Sequence, residues 1–141
     1  MTRLDRVRAA FAAQGFMRTL GGRLTELSPG RCAIECAFRD DLTQHHGLMH
    51  AGVLTTLADN ACGFAAMSLL PDGAEVLSVE FKISFMRPGA GAAAIARAEV
   101  LKPGRTLTTC RADIHMRQAD GREVLAAAML ATMMSAAPEP R

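Results

Sequence analysis

The stretch Gln44-His45-His46-Gly47-Leu48-Met49-His50-Ala51-Gly52 gathers a carboxamide, several imidazoles and small residues just ahead of a long apolar run. From Ala51 to Leu70 that run carries one charge, Asp59, with Asn60 beside it. A lone carboxylate among apolar residues must be paired, hydrogen-bonded or turned to a cavity, because desolvating it costs on the order of several kcal/mol. On a helix, Gly52, Thr55, Thr56, Cys62 and Gly63 share its face by their spacing from Asp59. Most of these are small, so the face reads as the wall of a substrate slot, with Thr55, Thr56, Asn60, Gly52 and Gly63 as candidate substrate contacts. The competing reading is a structural Asp satisfied by Thr55 or by a neighbouring strand.

His50-Ala51-Gly52 stands at the expected start of the helix, where unpaired backbone N–H groups and the positive end of the dipole can hold a developing oxyanion. Ala51 and Gly52 have little or no side chain, so a carbonyl can approach the backbone there. Gln44 is an uncharged donor and acceptor suited to orienting a carbonyl or a water. Together these residues describe an acyl-transfer site.

The elements that must position them follow from periodicity and punctuation. Residues 2 to 14 suit a short amphipathic helix, capped by Thr2 and stopped by Gly15. Two short strands are expected from Leu20 to Phe38 around Ser28-Pro29-Gly30. The apolar segment from Ala51 to the Pro71-Asp72-Gly73 turn is long enough for about five helical turns. It is apolar almost all round, which implies enclosure by other elements. Leu77, Val79, Phe81, Ile83 and Phe85 then alternate with Ser78, Glu80, Lys82, Ser84 and Met86, as on a strand. Pro88-Gly89, Pro103-Gly104 and Asp120-Gly121 set off three further strands in an antiparallel meander, the last from Arg122 to Met134 despite its alanines. The result is an α+β domain, one antiparallel β-sheet wrapped around a long central α-helix with a short N-terminal helix. One domain is expected over residues 1–136, with a disordered tail at 137–141.

Composition narrows the partners. Lys and Arg total 16 against 14 Asp and Glu, and Trp and Tyr are absent, so nucleic acid is not expected. Asp59 and Asn60 at the centre of the apolar run argue against a membrane span. Cys32, Cys36, Cys62 and Cys110 form no CxxC pair and read as buried free thiols. Arg3, Asp5, Arg6 and Arg8 precede any apolar run, so no secretory signal is expected and a cytoplasmic location is. His45 and His46 lack a carboxylate or Cys at ligand spacing, so no metal and no other cofactor is expected.

At these positions the chain resembles the hotdog-fold acyl-CoA thioesterases, in particular their phenylacetate-type, PaaI-like branch. That pattern is a loop Asn or Gln, a Gly, His-Gly-Gly, and an Asp or Glu on the next helix. Here it reads Gln44, Gly47, His50-Ala51-Gly52 and Asp59. Val79-Glu80-Phe81-Lys82-Ile83-Ser84-Phe85-Met86-Arg87-Pro88-Gly89 and Lys102-Pro103-Gly104-Arg105 follow in the family's order. The resemblance implies a hotdog fold and hydrolysis of an acyl-CoA thioester. Asp59 would be general base or nucleophile, Gln44 the orienting amide, the Ala51 N–H the oxyanion donor, and His50 the residue fixing the loop. Ala51 departs from the family's Gly: it keeps the N–H and adds a methyl. A homodimer or homotetramer with shared active sites is also implied. Arg87, Lys102 and Arg105 stand at turns where they could meet CoA phosphates. Two alternatives remain: a hotdog hydratase or dehydratase pairing His45 with Asp59, and a binding module that holds acyl-CoA without turnover.

Overall fold

Thr2 opens the first helix with a reciprocal cap, accepting from the Asp5 N–H at 3.1 Å while Asp5 Oδ2 accepts from the Thr2 N–H at 3.0 Å. This helix, α1 (Arg3–Ala13), buries Val7 and sets Phe11 edge-on against Phe64. The computed structural model describes residues 1–136, so the expected tail at 137–141 lies outside the described residues. The first helix ends just before Gly15, as expected, but Leu20 does not begin a strand. A second helix, α2 (Gly15–Leu20), follows a bend at Gln14 and buries Met17 and Leu20. Those two are spaced three apart, as on one helical face, and Gly21 at φ 76° ends the helix in the left-handed region that favours glycine.

The remaining elements are β1 (Gly22–Ser28), β2 (Arg31–Ala37), a 3-10 turn at Asp40–Leu42, α3 (Ala51–Met67), β3 (Glu75–Phe85), β4 (Ala93–Lys102), β5 (Leu107–Arg117) and β6 (Glu123–Ala136). Turn spacing rightly made the alanine-rich last segment a strand. The strands form one sheet in the order β1-β2-β4-β5-β6-β3, every neighbour antiparallel. Leu54, Leu57, Ala58, Ala61 and Cys62 of α3 are buried against Ile34, Ala96, Cys110, Ala112 and Met129. Alanines on the inner face let the sheet come close to the helix, which is why a chain so rich in them builds strands here.

Two expectations need correction. The central helix is not enclosed all round: Gly52 is exposed and Thr55, Thr56, Asp59, Asn60 and Gly63 are half-buried along one open face. The α1–α2 pair flanks that face on one side and β3 on the other. The second concerns β3, where simple alternation would put Ser78 opposite Val79 and Phe81. A bulge between Ser78 and Glu80 breaks the register with β6. Val76 and Ser78 therefore face α3 before it, and Phe81, Ile83 and Phe85 do so after it.

All four cysteines are free and buried. Burial pushes the Cys32 thiol up to about 12 and that of Cys110 to about 11, so they act as small core residues. No helix among the described residues is long and apolar enough to cross a membrane.

Candidate active site

The N-terminus of α3 is shaped by its own cap. His50 is the N-cap, and its Nδ1 accepts from the Gly52 N–H at 2.7 Å. This bond uses the Gly52 donor and fixes the ring, while the Ala51 N–H has no acceptor among the described residues. A single free donor is thus aimed outward where the helix dipole is most positive. The preceding loop is tied at both ends: the His50 N–H donates to the Leu42 carbonyl at 2.9 Å and the Met49 N–H to the Gly89 carbonyl at 3.0 Å. Gly89 is required there, since a Cβ on it would lie 2.6 Å from the Met49 carbonyl oxygen.

Gln44 holds the turn inside that loop. Its Oε1 accepts from the His46 N–H and, at 3.4 Å, from the Leu48 N–H, which leaves the amide donor end without an acceptor among the described residues. Gln44, Ala51, Phe85 and Arg87 line one recess of about 240 Å³.

Asp59 lies two turns further along the open face. Its Oδ1 accepts from the Ser78 hydroxyl at 2.7 Å, and the Met133 sulfur sits 3.4 Å from the same hydroxyl. Ser78 thus satisfies one carboxylate oxygen, and Oδ2 has no partner among the described residues. Thr55 is not the partner: its hydroxyl donates to the Ala51 carbonyl and that of Thr56 to the Gly52 carbonyl, both at 2.8 Å. Asp59, Asn60, Thr55 and Thr56 floor a slot of about 470 Å³, walled by Gln14, Gly15 and Phe16 on one side and Phe81 on the other. The sequence reading missed Ser78, Gln14, Phe16 and Phe81. Adjacent apolar residues at Val76 and Leu77, which break the alternation, were the one signal of the bulge that turns Ser78 inward.

The predicted residues therefore fall into two groups on one chain. Gln44, His50 and Ala51 gather at the start of α3, while Asp59, Asn60, Thr55 and Thr56 form the slot. Ala51 and Asp59 are eight residues apart on the same helix, about 12 Å along its axis. Gly63 continues the open face beside Val76. His45 and His46 lie against each other, exposed, with ring centroids 4.0 Å apart and their planes tilted by 43°. No cluster of metal-ligating side chains occurs among the described residues. Arg87 donates to the Leu125 carbonyl at 2.8 Å beside the Gln44 recess. Lys102 and Arg105 stand at the far end of the sheet, near the C-terminal end of α3, where Val100 and Ser68 both bond to Gly30. One chain does not bring these three cations together.

Residues 5–134 match a family model described as a domain of unknown function (DUF4442). Human acyl-coenzyme A thioesterase 13 is 33% identical over 112 residues, which cover 77% of this chain and 78% of that protein. A crystal structure of a thioesterase family protein from Silicibacter pomeroyi superposes with a TM-score of 0.94 at 45% identity, covering 96% of this chain and 99% of the other. The E. coli PaaI protein from the phenylacetic acid degradation operon superposes with a TM-score of 0.83 at 19% identity over 95% and 93% of the two chains, a likeness of fold.

Proposed function

The chain belongs to the hotdog-fold thioesterase superfamily, and on that premise we propose that it hydrolyses an acyl-CoA thioester to the free acid and CoA, with Asp59 as the catalytic carboxylate. The observation that carries this reading is the pairing of a free helix N-terminal donor at Ala51 with a half-buried carboxylate whose Oδ1 is held by Ser78 and whose Oδ2 is free. A water beside Oδ2 gives up its proton to Asp59 as it attacks the thioester carbonyl. The oxyanion that forms is held by an Ala51 N–H, and Gln44 donates its amide to the carbonyl or the water. The C–S bond then breaks and CoA leaves as a thiolate, which needs no strong general acid.

About 12 Å separates Ala51 from Asp59, so one carbonyl cannot meet both on a single chain. A second copy resolves this. β3 is an edge strand of 11 residues whose outer side pairs with no strand among the described residues, and Leu77, Val79, Phe81 and Phe85 are all exposed along it. Such an edge is a template for a second β3. Pairing there sets the Asp59 slot of one copy against the Gln44–Ala51 recess of the other, which makes a homodimer with shared sites. The four protonated, buried thiols suit a reducing cytoplasm.

The hydratase alternative needs His45 beside a carboxylate. His45 instead lies against His46 and lines neither the slot nor the recess.

Purified protein given short, medium and aromatic acyl-CoAs with a thiol reagent should release CoA. Asp59→Asn should lower kcat/KM by about 10²- to 10⁴-fold, and Ser78→Ala and Gln44→Ala by less. Wild-type turnover persisting in Asp59→Asn would end the assignment.

A further inference from the structure

We propose that Phe16 sets the length of acyl chain this enzyme accepts, because it lines both the Asp59 slot and a second, apolar pocket along the same flank of α3. The inference rests on the thioesterase reading and adds to it a specificity-determining residue outside the motif. The second pocket, of about 360 Å³, is built on Leu20, Leu42 and Val53, with His50 and Gly52 on its rim. Phe16 and Thr56 line this pocket and the Asp59 slot alike, so the two spaces are neighbours that share these two side chains.

Three observations assign the passage to a hydrocarbon chain. Phe16 is 54% exposed, whereas Met17 and Leu20 of the same short helix are 1% and 7% exposed, so the core does not recruit the ring. The Thr56 hydroxyl is spent on the Gly52 carbonyl, which leaves the passage no free hydroxyl donor from that residue. The one charge on the pocket rim, Asp41, is held in a fork by Arg39 at 3.0 and 3.2 Å, so it offers little to a polar tail. An unbranched acyl chain whose carbonyl lies at Asp59 runs along α3, meets the ring, and enters the Leu20–Leu42–Val53 pocket only when the ring yields.

The test is a kcat/KM profile against straight-chain acyl-CoAs from short to long, for wild type, Phe16→Ala and Phe16→Trp, with thermal unfolding as a check on the fold. Each methylene moved from water into the pocket is worth roughly fourfold in binding. Phe16→Ala should therefore shift the optimum to longer chains, gaining about that factor for each methylene newly accommodated, and Phe16→Trp should shift it to shorter ones. Two results would overturn the proposal. One is the same profile in all three proteins. The other is a KM raised equally at every length together with weaker inhibition by free CoA, which would give the ring to the pantetheine arm instead. A wild type that turns over no acyl-CoA would sink the thioesterase reading and this inference together, whereas turnover with unmoved optima sinks the inference alone.

Discussion

At the residue scale, the sharpest feature is a donor that belongs to no side chain. His50 takes up the Gly52 N–H and leaves that of Ala51 free, so the cap selects which of the first helical amides faces a ligand. This permits an unusually clean substitution. Ala51 is the first residue of α3, a position where proline is well tolerated, and His50 before it already has the extended backbone that a following proline demands, at φ −61° and ψ 139°. Ala51→Pro deletes the N–H and little else. It should lower kcat by about 10²- to 10³-fold, as removal of an oxyanion donor does, with the thermal midpoint nearly unchanged. Wild-type kcat in this variant would remove the Ala51 N–H from the mechanism. Gln44, His50 and Asp59 were legible as candidates by their type and spacing, and Ala51 by its place at the start of the helix. Ser78 was not, since an isolated serine on a strand has no such mark and only its 2.7 Å bond to Asp59 reveals it.

At the scale of elements, hydrophobic period located the long helix, β2 and β3, and turn residues set off β4, β5 and β6. What it misjudged was phase and enclosure. A single bulge at Val79 turned the first half of β3 over, and residues around Gly15 formed α2 because Met17 and Leu20 had a core to enter. The outer face of the sheet carries a further feature that no local pattern announces. Arg97 on β4 reaches across β5 to Glu123 on β6 with two bonds of 2.8 and 3.1 Å, and Arg117 bonds Glu35. The Arg97 guanidinium holds the Glu123 carboxyl below its ordinary value of 4.5. A lowered carboxylate contributes stability that is complete above that ordinary value and is lost as pH falls through the lowered one. Because both side chains are partly exposed, the contribution at neutral pH is no more than about 1 kcal/mol. Urea unfolding at a series of pH values should find Glu123→Gln less stable than wild type at pH 7 by about that amount, with the two converging on acidification. A gap that stays constant into acid would mean that the carboxylate's charge is not the cause.

At the scale of the whole molecule, the division of the site between the start and the middle of one helix asks for a second copy, and this can be tested without a new structure. Asp59→Asn and Ala51→Pro should each be nearly inactive. If each site takes Asp59 from one copy and Ala51 from the other, unfolding and refolding an equal mixture should produce heterodimers with one intact site, and about a quarter of wild-type activity should return. No recovery, in a mixture shown by light scattering to be dimeric, would place both groups in sites of a single chain. The amino-acid sequence by itself determined the α+β architecture, the helix that carries the carboxylate and the loop that supplies the amide, because period, caps and turns are local properties written residue by residue. Only the tertiary structure decided that Ser78 faces Asp59 and that α2 and Phe16 wall the slot. Those outcomes depend on a strand register and on what a core has room to bury, and each is settled when separate elements pack rather than by any neighbourhood in the chain.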